Sequence, residues 1–135
     1  MRDYSYIWTA NVFLLLGLFS CIDKPIYSLV FCQEISKVGK CEGKSIRFKR
    51  GTRVHLLFTS SEPFLYPSLH GKVFFIPPGG AKELLGEKLF DLDSLQDRIH
   101  YHIPFDIYQS VGLYSVEFYS DKEEFLYAEE VHINP

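Results

Sequence analysis

Alternation with a period of two recurs along this chain, and it limits the fold more than any other feature. In "DRIHYHIPF" (97–105), Ile99, Tyr101 and Ile103 fall on one side of an extended backbone, with His100 and His102 on the other. Val54, Leu56 and Phe58 alternate in the second half of "KSIRFKRGTRVHLLFTSS" (44–61), which splits at Gly51 into two short strands. Tyr114, Val116 and Phe118 do the same in "VGLYSVEFYSD" (111–121). Successive side chains of a strand point to opposite faces, so each such run reads as a half-buried strand. "PIYSLVFCQE" (25–34), "HGKVFFIPP" (70–78) and "EEFLYAEEVHINP" (123–135) add further strands. In the last, the apolar phase slips between Ala128 and Val131, as a bulge around Glu129–Glu130 would produce. "AKELLGEKLF" (81–90) reads either as one helical turn or as a bent edge strand, with Gly86 against a long helix.

About seven short strands with turns between them, and no helical stripe of length, predict an all-β, antiparallel sandwich. The 12 Phe and 9 Tyr, against one Met and one Trp, suit strands better than helices. With 47% hydrophobic residues and a net charge of −3, the chain is globular in composition and not disordered.

The first segment predicts where the chain resides. Its apolar core, Val12 to Phe19, is too short for a membrane helix, which needs about 20 apolar residues. It matches the apolar region of a secretory signal ahead of a small residue, Ser20, and a cysteine, Cys21. Leu18, Ser20 and Cys21 resemble the lipobox of bacterial lipoproteins, with Phe19 as in the looser spirochaete-type boxes. That resemblance implies a signal peptide over 1–20, a lipidated Cys21 with a short tether over 21–24, and one domain over 25–135. It places the protein at the bacterial cell envelope, periplasmic or surface-facing, with the outer membrane as the expected anchor site. A short uncleaved signal anchor is the alternative.

"FKRGTRV" (48–54) resembles the F-x-x-G-x-x-V lead-in to the second strand of many immunoglobulin-like modules. "GLYSVEF" (112–118) resembles their penultimate strand, in which a Tyr two residues after Gly caps the preceding corner. The resemblance implies that the Tyr114 hydroxyl bonds back to backbone a few residues upstream. Val116 stands where antibody domains carry a Cys, so the likeness is to the broad immunoglobulin-like class. It carries no activity.

Cys32 and Cys41 lie in "FCQEISKVGKCEG", separated by a turn with Gly39. In an exported chain a disulfide across a small hairpin is the first reading, with free buried thiols as the bland one. A zinc site has no further cysteine or closely spaced histidine to complete it.

No nucleotide-binding, metalloprotease or nucleophile-elbow motif is present, and neither enzymatic activity nor a cofactor is expected. The nearest metal motif is the pair His100 and His102, with His55, His132 or an acid as a third ligand. The competing reading is an ordinary polar outer face. Seven cations (Lys37, Lys40, Lys44, Arg47, Lys49, Arg50 and Arg53) crowd a short stretch, while the C-terminal strands are acidic. The basic stripe either meets lipid headgroups or glycans or simply faces the acidic strands or water. A nucleic-acid partner is not expected of an exported, net-acidic chain.

"SSEPFLYPSLHG" (60–71) is the candidate partner loop. Stiffened by Pro63 and Pro67, it presents Phe64, Leu65 and Tyr66, and in an up-and-down sandwich it shares an end with Glu123 and Glu124. The alternative is that these aromatics fold under and plug the sandwich. The functional expectation is a membrane-tethered, non-catalytic module that binds or assembles with an envelope protein. The alternatives are a metal-binding or enzymatic domain on the His100/His102 strand and an immunoglobulin-like protease inhibitor.

Overall fold

A computed structural model describes residues 24–103 and 110–135. The signal segment and Cys21 lie outside these residues. Ten strands follow in chain order: β1 (Tyr27–Cys32), β2 (Glu34–Ile35), β3 (Cys41–Glu42), β4 (Arg47–Lys49), β5 (Val54–Ser60), β6 (Ser68–Ile76), β7 (Glu83–Asp91), β8 (Arg98–Ile103), β9 (Gly112–Ser120) and β10 (Phe125–Asn134). One sheet has the order β1-β5-β8, the other β4-β10-β9-β6-β7. They pack face to face, and their inner rows are the alternating residues of the sequence. Val54, Leu56 and Phe58 of β5 and Tyr114, Val116 and Phe118 of β9 are all at most 2% exposed.

The count exceeds seven for local reasons. A two-stranded hairpin, β2–β3, interrupts the first edge of the sandwich and is closed by the Cys32–Cys41 disulfide, with Cα atoms 5.5 Å apart. After the hairpin the chain crosses from the three-stranded sheet to the five-stranded one. There β4 runs parallel to β10, the exception to the antiparallel ladders. Gly51, at φ +86°, then turns the chain back into β5.

The ambiguous segment at 81–90 is strand, not helix. It forms β7, the free edge beside β6, and the register shift between Val73 and Phe74 bends it. The expected bulge at Glu129–Glu130 is absent. The register shift lies between Phe125 and Tyr127, and Glu129 pairs regularly with Val116. The apolar phase breaks because a glutamate occupies the inward row Tyr127, Glu129, Val131, Ile133, while Ala128 faces out. Tyr114 caps its corner as expected, its hydroxyl donating to the Ser110 carbonyl at 2.5 Å.

Candidate functional site

Three connections share one end of the sandwich: 61–67, 92–97 and 121–124. The Phe64 amide donates to the Gln96 carbonyl at 2.8 Å, and the Leu92 amide to the Pro67 carbonyl at 3.0 Å. The Leu69–Ser120 pair brings the third connection alongside. Loop 60–71 therefore shares an end with Glu123 and Glu124, as its place in the sequence predicts.

Its aromatics do not form an exposed tip. Phe64 is 8% exposed and belongs to the core, with its ring 5.7 Å from Phe58 and 6.5 Å from Tyr27. Tyr66 is half-buried against the same cluster. Two aromatics within a proline-stiffened loop cover the open end of the sandwich, because that end would otherwise leave Phe58 in water. Of the three, only Leu65, 79% exposed, points outward; on the adjoining connection 92–97, Leu95 is 83% exposed.

Glu123 is not a free rim charge. Its carboxylate takes the His70 Nδ1 at 2.7 Å and the Lys72 ammonium at 3.0 Å, and these bonds hold its pKa below the ordinary carboxylate value. His70 also reaches Glu87 at 2.9 Å. This cluster joins residues more than 50 apart in sequence, and no local pattern announces it. Glu124 remains exposed.

A second polar cluster sits on the outer face of the five-stranded sheet. Glu117, 5% exposed, accepts from Lys82 at 2.8 Å, Ser115 at 3.2 Å and Tyr119 at 2.5 Å. Burial raises its pKa, but the ammonium and the two hydroxyls outweigh it and the net shift is downward. The same bond to Glu117 pushes Tyr119 up to about 12.

The histidines meet on the outer face of the three-stranded sheet. His55 lies opposite His102, and its Nδ1 is 3.0 Å from His100 Nε2. Burial, then the charges of His100, His102 and Arg53, lower the His55 pKa. His102 Nε2 is buried without a hydrogen-bond partner. Even so, no three His, Cys, Asp or Glu side chains among the described residues are grouped to hold a metal ion. His132 is on the other sheet, in β10.

The seven cations of residues 37–53 are all exposed, and among the described residues none forms an ion pair. They do not neutralise the C-terminal acids, although β4 lies beside β10. They lie on the hairpin, in the link from it to β4 (Lys44), on β4 and in the turn after it. The pairing Cys32↔His55 puts this region at the end opposite loop 61–67, since Tyr27↔Ser60 closes the other end of the same ladder.

Comparison with protein-family models finds no match, and no curated protein matches the chain. A solved structure does: an immunoglobulin-like protein from Pseudomonas aeruginosa, 11% identical, superposes with a TM-score of 0.50 over 83% of this chain and 93% of its own. The fold is an immunoglobulin-like sandwich. The likeness extends to architecture alone, since so low an identity carries no residue of a site across.

Proposed function

We propose that this chain is a membrane-tethered, non-catalytic binding or assembly module of a bacterial cell envelope, a lipoprotein of the spirochaete type. The observation that carries this reading is a polarity. The chain enters the domain at the end bearing loops 61–67, 92–97 and 121–124. Six of the seven cations (all but Lys44, which lies on the flank), none of them in an ion pair among the described residues, gather towards the other end. From Cys21 to Tyr27 there are six residues, which span at most about 20 Å. A lipid at Cys21 therefore holds the loop end near the bilayer and turns the basic end outward, toward an anionic partner in the envelope. The Cys32–Cys41 disulfide fits an oxidising compartment. Among the described residues no helix is long and apolar enough to cross a membrane.

The test is Cys21→Ala in the full chain. Expected are loss of lipid labelling and release of the protein from membranes on alkaline wash. Retention of the variant with membrane would mean a signal anchor in place of a lipid. Binding is checked separately, in the released variant, by exchanging Lys37, Lys40 and Arg50 for Glu. Retention on purified envelopes should fall, with a steep salt dependence in the parent.

A further inference from the structure

The sandwich is open along one side. β4 pairs with β10 for three residues only, His132↔Arg47 to Asn134↔Lys49, and then the ladder stops. Beyond it lies a groove of about 450 Å³ between β1 and β10, lined by Leu29, Phe31, Lys44, Ile46, Tyr127 and Glu129. Both walls are strand edges. In β10 the His132 amide points to this side, since it donates to the Ile46 carbonyl at 2.7 Å. By the alternation of antiparallel pairing, the backbone groups of Ala128 and Glu130 point the same way, where no strand of the described residues pairs with them. In β1 the Phe31 carbonyl faces the groove and accepts from the Ser45 amide at 3.1 Å, so the groups of Tyr27 and Leu29 face it as well.

We propose that this groove takes an extended peptide segment of a partner protein, added to the free edge of β10 where β4 leaves off. Three features define the segment. The row of backbone donors and acceptors on Ala128 and Glu130 asks for a strand, because only an extended backbone repeats its own groups at that spacing. β4 shows that this edge accepts one, so the added strand prolongs an existing pairing. The floor decides the side chains. Half-buried Tyr127 and exposed Ile46 offer apolar surface to alternate residues of the segment, while Leu29 and Phe31 close the floor beneath and are already buried. Glu129, half-buried on the inward row and without an ion-pair partner among the described residues, asks for a Lys or Arg. The apolar Ile46, 54% exposed at the rim, becomes covered when the groove is filled. The site does not depend on the tether and lies along the flank of the sandwich, away from both of its ends.

Selection of short random peptides on the purified full chain tests this. Enriched sequences should alternate apolar and polar residues and carry Lys or Arg on the apolar face. A bound peptide should slow amide exchange at Ala128 and Glu130, and N-methylation of its backbone should weaken binding roughly tenfold. Glu129→Lys should shift the selected charge from basic to acidic, and Glu129→Gln, the milder change, should erase the charge preference. Four results would each overturn the proposal: no enriched sequence, enrichment without alternation, protection at amides outside the groove, or a charge preference that Glu129→Gln leaves intact. Protection of Ala128 and Glu130 before any peptide is added would also overturn it. If sedimentation then shows a monomer, the chain's own leading residues fill the groove. If it shows a dimer, a second copy does.

Discussion

Phe58 and Phe118, one from each sheet, stack with ring centroids 4.2 Å apart and planes 4° from parallel. Both are at most 1% exposed, so this pair ties the two layers at the centre of the core. Phe118→Ala should destabilise the domain by about 3–5 kcal/mol, through lost burial and the cavity left behind. Urea unfolding monitored by circular dichroism measures it.

Loop 61–67 separates core from surface within two consecutive residues. Phe64→Ala should cost about 3 kcal/mol or more, while Leu65→Ser should stay within about 0.5 kcal/mol of the parent. Equal losses from the two would show that the loop packs differently from the arrangement found.

The Cys32–Cys41 bridge closes a short loop, with a sequence separation of 9. In the chain-entropy model it contributes about 2.5–3 kcal/mol. Thiol alkylation of the denatured, unreduced protein should leave both cysteines unmodified. Cys32→Ser with Cys41→Ser should lower the melting temperature without abolishing the fold, because the bridge braces a hairpin at one end of the sandwich and the core lies elsewhere.

Glu117 should make stability fall in acid. Its pKa is lowered in the folded protein, so its contribution is present above the unfolded carboxylate value and is lost as pH falls through the lower, folded one. Below about pH 4.5, Glu117→Gln should therefore show a shallower loss of stability than the parent. Denaturant midpoints at neutral and acid pH compare the two. Parallel curves would mean that the Lys82 contact adds nothing to the acid response.

Tyr119 gives the alkaline counterpart. Raised to about 12 by its bond to Glu117, it should ionise well above the ordinary tyrosine value of 10.0 in an absorbance titration. Its contribution is present below the ordinary value of 10.0 and is lost as pH rises towards 12. Glu117→Gln should bring its ionisation back toward the ordinary range.

Much of the architecture is legible without coordinates, because a strand with one face in a core must alternate. Ile99 and Ile103, Val54 to Phe58, and Tyr114 to Phe118 declare their inward face by spacing alone, and the turn glycines mark where the chain reverses. The tyrosine corner and the Cys32–Cys41 pairing are local as well, set within ten residues of chain. Sequence alone does not decide what depends on which distant segments meet. Phe64 reads as contact or as core until the open end over Phe58 is seen to need covering. The slip at Glu129 reads as a bulge because spacing cannot tell an extra residue from a polar one placed inward. The His70–Glu123–Lys72 cluster and the groove between β1 and β10 arise from pairings between strands far apart in the chain. Such pairings are fixed by burial of the whole core, a global quantity that no window of sequence contains.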